Sequence, residues 1–482
     1  MATKKKAKKK ATKKKATKKK VAKKKEAKKK IKNSHFGIKV KKSLSEWIDQ
    51  ESIGGVGMGV FDLPPVMERG EGPYLYDCDD KQYVDFLSGF SVSALGNNNV
   101  DIRNIIIEQS KKLTHYFDFP HPERIKLAKK LNDVSGIKEK TNVIFGVTGS
   151  DAIELAIRAA RYSTGKPYVL TAFGDYHGVT YGTAGLTTKG GVHQYFHPIR
   201  PNNDIGYFPF PHLYRKPADK FPGYNLNSLR IFQQMLEGKE TPYTDGLYNV
   251  NNVAAILVEP FQSSAGYYVP PKEYLQILRE IANRHGMLLI VDEIQNGLGR
   301  SGKMWAYEHS GIEPDMICTS KALGGGLPLS AVIGKESILS KWSPTAYVST
   351  QSANVLACAA GNYVIDKISS SNFLNDVNKS GNYLLKGLKE LKTRHPIIGY
   401  IDNCGLYTGV ELVRDRKTKE PADVEANYVR DLCVQQGLLF EKGGYYHNRL
   451  QLIPPLNVEK KVIDKCIEIL DFVFEKTKIK FK

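Results

Sequence analysis

The sequence predicts an α/β protein with a large, mostly parallel sheet covered by helices on both faces and joined to a smaller α+β domain. Two observations carry this expectation. From about residue 103 to 345, short apolar runs alternate with helix-length segments, the pattern of repeated strand–helix units. The chain has 482 residues, 41% of them hydrophobic, which is enough for more than one core. Charge gives a third observation. The formal net charge of +21 lies in residues 1–42, which hold 22 of the 71 basic residues and one of the 50 acidic ones. The remainder carries 49 of each and is formally neutral.

Residues 1–42 repeat units such as "ATKKK" and "EAKKK" without an apolar stripe. Their self-repulsion predicts a disordered lysine-rich tail. Two readings stay open for it: a solubilising extension, or an electrostatic contact with a polyanion, either nucleic acid or an anionic membrane. Residues 43–102 are expected to join the small domain. Within them, "GPYLYDCDDKQYVDFLSG" (72–89) alternates aromatic and polar residues about an Asp-Asp turn, a hairpin signal. Residues 103–352 form the expected large domain. Its strands are "NVIFGV", "YVLTAF", "AAILVEP", "LLIVDE" and "MIC", with helices at 151–163 and 272–285. Residues 353–482 supply a connecting helix, "ANVLACAAGNYVIDKI", and a C-terminal small domain with strands near "GLYTGVELV" and "RLQLIP".

Several classes are disfavoured. No run of 18 apolar residues predicts a transmembrane helix. No apolar signal segment is present, and the six cysteines form no CxxC pair, so a reduced, cytoplasmic setting is expected. No metal site is predicted.

In open parallel sheets, ligands bind beyond the carboxyl ends of the strands. Those ends carry Gly149 and Ser150 at a helix start, Tyr176 and His177, Glu259, then Asp292 and Gln295, and finally Lys321 before three glycines. Each has an ordinary reading alone, as a cap, a core aromatic or an ion pair. Together they suit pyridoxal phosphate, which needs an amine, a carboxylate for its ring nitrogen and a helix N-terminus for its phosphate. The segment "VDEIQNGLGRSGKMWAYEHSGIEPDMICTSKALGGGLPLSAVIGK" (291–335) resembles the signature of class III pyridoxal-phosphate aminotransferases. So do "TGSDAIELAIRAAR", "DYHGVTYGTAGLT" and, in diverged form, "STQSANVLACAAG". The resemblance spans about 60 to 475.

The resemblance implies the fold type I architecture of pyridoxal-phosphate transferases, with pyridoxal 5'-phosphate as cofactor. It assigns Lys321 as the covalent cofactor lysine and proton carrier, and Asp292 as the partner of the ring nitrogen. Gln295 would meet the phenolic oxygen, Tyr176 the ring face with His177 beside it, and Gly149 and Ser150 the phosphate. Thr350 would reach the phosphate of a partner subunit, implying a homodimer with shared sites. Glu259 is expected to gate a substrate-binding arginine. The family's arginine before the Pro-Pro run is Gln451 here, with Arg449 two residues earlier, about 6.6 Å away on an extended strand. Arg449 is read either as a shifted carboxylate anchor or as a solvent-facing charge, and Phe90 as a further substrate contact. "GNNNV" (96–100) and Gln351 also depart from the family pattern.

The implied activity is transfer of an amino group from an amino acid, of ω-amino or diamino type, to a 2-oxo acid such as 2-oxoglutarate or pyruvate. The alternative is an amino-acid racemase or epimerase of the same fold. A third reading is a binding protein led by its tail, which the intact Lys321 and Asp292 pair disfavours.

Overall fold

The computed structural model describes residues 64–117, 119–189, 204–238, 249–343 and 346–481. The lysine-rich tail and the beginning of segment 43–102 lie outside them. The predicted hairpin is present. Strands β1 (Met67–Glu71), β2 (Tyr74–Asp77) and β3 (Gln82–Asp85) form an antiparallel meander, its last turn held by the Asp77 carboxylate on the N–H groups of Asp79 and Lys81.

The central sheet contains β4 (Thr141–Gly146), β5 (Tyr168–Ala172), β6 (Ile205–Phe208), β7 (Val253–Val258), β8 (Leu288–Asp292), β9 (Met316–Thr319) and β10 (Ser330–Lys335). Their order is β4-β10-β9-β8-β7-β5-β6, and β10 alone runs antiparallel to both neighbours. β7 is "VAAILV", buried at every position, as expected for a strand covered on both faces. Between the strands lie helices Gly149–Thr164 and Glu273–His285, each ended by a glycine in the left-handed region, Gly165 and Gly286. The five strands expected from sequence are present. β6 and β10 were not anticipated, because each carries a glycine that breaks the apolar run and β6 is only four residues long. In β10 that glycine is required, since a Cβ at Gly334 would come within 2.8 Å of Met316.

Beyond the helix Val355–Ile368, the chain forms β11 (Ile398–Cys404), β12 (Tyr407–Asp415), β13 (Glu420–Pro421), β14 (Leu438–Leu439), β15 (Glu441–Gly443) and β16 (Arg449–Leu452). The sheet order is β11-β12-β16-β15, with β13 on β12. β14 pairs in parallel with β3, so the N-terminal meander and the C-terminal region share hydrogen bonds. Helices Phe373–Arg394 and Lys460–Lys480 pack on each other and cover this end.

Candidate active site

A cavity of about 180 Å³ opens at the carboxyl ends of β4, β5, β7, β8 and β9. It is lined by Thr148, Gly149, Ser150, Tyr176, His177, Gly178, Glu259, Ser263, Asp292, Ile294, Gln295, Ser320 and Lys321. Five separate strand–loop junctions therefore converge, as the parallel topology requires.

β8 and β9 are in register with Asp292 beside Cys318, which places Lys321 just past the buried end of the sheet. Lys321 has φ +44°, a left-handed conformation that a lysine adopts at a cost. Its Nζ donates to Gln295 Oε1 at 2.9 Å. Burial of the ammonium pulls its pKa below the ordinary lysine value, against the opposing charges of Asp292, Glu259 and Glu441. A lowered pKa leaves more of the amine neutral and nucleophilic.

Asp292 is held from behind. His177 Nδ1 lies 2.7 Å from Asp292 Oδ2, and Asp292 Oδ1 accepts the Ile294 N–H. The other His177 nitrogen faces Thr171 Oγ1 at 3.0 Å and Asp175 Oδ2 at 3.5 Å. Burial opposes charge on this ring, but its bonds to Asp175 and Asp292 prevail and raise its pKa to about 10. His177 thus reaches the cavity wall as an imidazolium that orients Asp292, with both nitrogens committed to protein groups.

At the opposite end, Thr148 caps the helix Gly149–Thr164 in a reciprocal box with Asp151. The first helical N–H groups, on Gly149 and Ser150, have no partner within the helix. Gly178, at φ +111°, faces them, and a Cβ there would lie 2.1 Å from Ser150 Oγ. The result is a narrow, anion-compatible notch at a helix N-terminus.

The remaining expected residues fall elsewhere. Glu259 lines the cavity, but its two oxygens accept the N–H groups of Tyr176 and Ser263, so it braces two loops instead of gating an arginine. Arg449 is neither a solvent-facing charge nor a substrate anchor. It is fully buried, and four of its five N–H donors go to Gly266 O, Tyr267 O, Asp402 and Glu411. The two-residue offset keeps it on the Gln451 face of the strand, but the long side chain finds these partners first. Gln451 donates to the Ser263 carbonyl at 2.8 Å. Phe90 is half-buried in a turn, Ser88–Ser91, whose residues all have positive φ and which packs against the Lys321–Gly324 segment without lining the cavity. Thr350 is exposed and also outside it, and its carbonyl meets His115 Nε2 at 2.7 Å.

Sequence reading missed Tyr267, which receives the Gln295 amide at 2.7 Å, and Glu441, a buried carboxylate of β15 paired across the ladder with Gln451. Glu441 Oε1 lies 3.6 Å from Lys189 Nζ, and Oε2 has no partner among the described residues. No local signal marks either residue, because both act through chain-distant partners.

Residues 58–474 match the aminotransferase class-III family. The chain belongs to that family. It is 36% identical to a leucine/methionine racemase from Thermococcus litoralis, over 85% of this chain and 90% of that protein. It is 31% identical to a diaminobutyrate–2-oxoglutarate aminotransferase from Haemophilus influenzae, over 84% and 89%. Among solved structures, an amine transaminase from an uncultivated Pseudomonas species in its PLP-bound form superposes with a TM-score of 0.78 at 29% identity, covering 86% and 95%.

The protein is a pyridoxal-phosphate-dependent enzyme with the fold type I architecture. The cavity fits this cofactor on its own chemistry. It offers a depressed amine, a carboxylate braced by an imidazolium, an amide that holds the amine, and a capped helix N-terminus lining the same cavity. When bound, the cofactor supplies an electron sink for charge developing at the substrate's α-carbon. Among the described residues, no helix is long and apolar enough to cross a membrane.

Proposed function

We propose that this enzyme removes and returns the α-proton of a neutral α-amino acid, acting as a racemase or epimerase. One observation carries the reading. No arginine lines the cavity among the described residues, since Gln451 stands at the family's arginine position and Arg449 is consumed by buried partners. An acceptor such as 2-oxoglutarate brings a second carboxylate that needs a cation, which pyruvate does not, so the observation weighs against dicarboxylate acceptors. The likeness to the leucine/methionine racemase supports the same class. In this reading Lys321 Nζ takes the α-proton, and a proton returns to the opposite face of the α-carbon to give the inverted product. Gln295 holds the amine in place, and Asp292 with His177 keeps a proton on the cofactor's ring nitrogen. Gly149 and Ser150 hold the phosphate, and Tyr176 closes one wall.

A second reading, transamination of an ω-amino or diamino acid, is favoured by Glu441. Its open, buried oxygen could receive a substrate ω-ammonium if Lys189 moves aside. The same Lys321 would then move the proton onto the cofactor. Both readings fit a homodimer, in which the exposed Thr350 serves the partner's phosphate, and a cytoplasmic enzyme whose cysteines are unpaired.

The test is incubation with L-leucine, L-methionine, L-alanine and L-ornithine in deuterium oxide, with and without 2-oxoglutarate or pyruvate. Racemisation with α-deuteration and no new 2-oxo acid is expected. Stoichiometric 2-oxo acid formation, with conversion of the cofactor to its amine form, would establish transamination instead.

A further inference from the structure

Arg449 lies outside the cavity, yet it is connected to it through a short series of contacts. Its Nε donates to Gly266 O at 2.6 Å and its Nη2 to Tyr267 O at 3.1 Å. Its charge is matched by Asp402 at 2.6 Å and Glu411 at 3.0 Å, and Arg215 holds the other oxygen of Glu411 at 2.8 Å. The guanidinium lies 3.9 Å from the centre of the Tyr268 ring. One buried side chain thus grips two consecutive carbonyls of a turn.

That turn is strained. Tyr267 has φ +57°, and Gly266 has φ +136°. A Cβ at Gly266 would come within 2.8 Å of Arg449 Cδ and 2.9 Å of Gly444 Cα. A tyrosine in the left-handed region persists only where its surroundings over-determine it. Here the determinants are the Ser263 carbonyl, which accepts the N–H groups of Gly266 and Tyr267 at 2.9 and 3.1 Å, the guanidinium on the Tyr267 carbonyl, and Tyr407, whose ring stacks on Tyr267 with centroids 4.4 Å apart. With backbone and ring both fixed, the Tyr267 hydroxyl has one position. It accepts Gln295 Nε2 at 2.7 Å, which leaves Gln295 Oε1 facing Lys321 Nζ at 2.9 Å. Lys321 Nζ, as donor, selects the oxygen end of the amide, while the hydroxyl anchors its nitrogen end; without the hydroxyl, Gln295 loses the tether that holds Oε1 at the amine.

We propose that Arg449 is a positioning residue for Lys321, acting through the Gly266–Tyr267 turn, the Tyr267 hydroxyl and the Gln295 amide. The proposal rests on the reading that Lys321 carries the cofactor. It assigns to Arg449 a role in the placement of the reactive amine and none in substrate binding. The charges facing Lys321 directly are Asp292, Glu259, Glu441 and Lys189, and the substitutions below leave all four in place.

The test uses the holoenzyme with Tyr267→Phe, Arg449→Lys and the double variant. Tyr267→Phe keeps the stacked ring and removes only the hydroxyl. Each single variant should shift the pH midpoint of the bound cofactor's absorbance by about half a unit, in the same direction, the scale of one neutral hydrogen bond. Loss of the acceptor disfavours the protonated amine, so the acid limb of the kcat–pH profile should move to lower pH. Turnover should fall about fivefold with KM changed less than about twofold. The double variant should resemble the more severe single, because the two residues act in series. An unshifted midpoint with a raised KM in Arg449→Lys would overturn the proposal and make Arg449 a substrate contact. Additive effects in the double variant would overturn it too. If Arg449→Lys does not fold, Asp402→Asn replaces it, and an unshifted midpoint there is equally fatal. Borohydride reduction of the wild type with peptide mapping tests the underlying reading separately, since an adduct anywhere but Lys321 would sink that reading whatever the variants do.

Discussion

The cofactor end and the small-domain end of this molecule both present buried charge, but they obtain it differently. At the cofactor end, Asp292 and Lys321 stand at the tips of adjacent parallel strands, and their approach follows from the order of the sheet. At the small-domain end, Arg449 meets Asp402 and Glu411, 47 and 38 residues away, and a turn 183 residues away. The first set is built by the order of the parallel sheet; in the second, ladder register sets Glu411 beside Arg449, and side-chain reach adds Asp402 and the Gly266–Tyr267 turn. That difference explains why one set faces the cavity with open valences while the other has nearly exhausted its own.

The sharpest way to break this contrast is Lys321→Ala. Turnover should fall by about 10⁴-fold or more, the upper range for loss of a positioned proton carrier, and the borohydride-reducible adduct should vanish. A variant that still forms the adduct on the same segment would show that the strand-end lysine is not the functional amine.

Asp292→Asn comes next. The fold and bound cofactor should persist while turnover drops about 10²-fold, or about 2.7 kcal/mol of transition-state stabilisation. His177→Asn should cost less, about tenfold, because it removes the brace and leaves the carboxylate. It also carries a pH signature. The folded pKa of His177 is raised to about 10, so its imidazolium contributes stability that is fully present below about pH 6.5 and is lost as pH rises toward 10. The difference in Tm between wild type and His177→Asn should therefore shrink from pH 6 to pH 10. A constant difference would mean that His177 is neutral in the fold.

The fold and the convergence of Gly149, Ser150, Tyr176, His177, Asp292, Gln295 and Lys321 on one cavity were legible in the sequence for the same reason. Strand runs such as "LLIVD" and "MICT" end in polar residues, and a parallel sheet brings such ends together whatever the intervening loops do. Arg449 was misread because spacing along a strand reports a face and not a partner. Five atoms of side chain then carry the charge to Gly266 and Asp402, which no window of sequence contains. Glu259 was misread in the same way, since its neighbours in the chain gave no hint of the Tyr176 and Ser263 N–H groups it satisfies. Tyr267 and Glu441 were silent because each acquires meaning only from chain-distant contacts, Tyr267 from Gln295 and Arg449 and Glu441 from Lys189.

Glu441→Gln asks which end selects substrate. If Glu441 receives an ω-ammonium, KM for L-ornithine should rise about tenfold or more, the worth of a charge-assisted hydrogen bond, with kcat within about twofold. KM for L-leucine should stay within about twofold. Equal effects on both substrates would place Glu441 in general electrostatics around Lys321 and remove the ground for a diamino substrate.

The smallest effect on catalysis is expected from the largest charge. Residues 1–42 account for the whole net charge of +21, and every residue placed at either end of the molecule lies beyond residue 66. Deleting 1–42 should leave the turnover rate, the cofactor spectrum and the Arg449→Lys midpoint shift unchanged within error. Retention on heparin or DNA at low salt should disappear, because a lysine-rich segment binds polyanions chiefly by releasing their counterions. The full-length protein should lose that retention steeply as salt rises, with little preference among DNA sequences. Persistence of the same salt slope after truncation would put the polyanion contact on the neutral body. Lost turnover after truncation would mean that the tail takes part in the site, and the contrast between topology-built and reach-built charge would then need a third member.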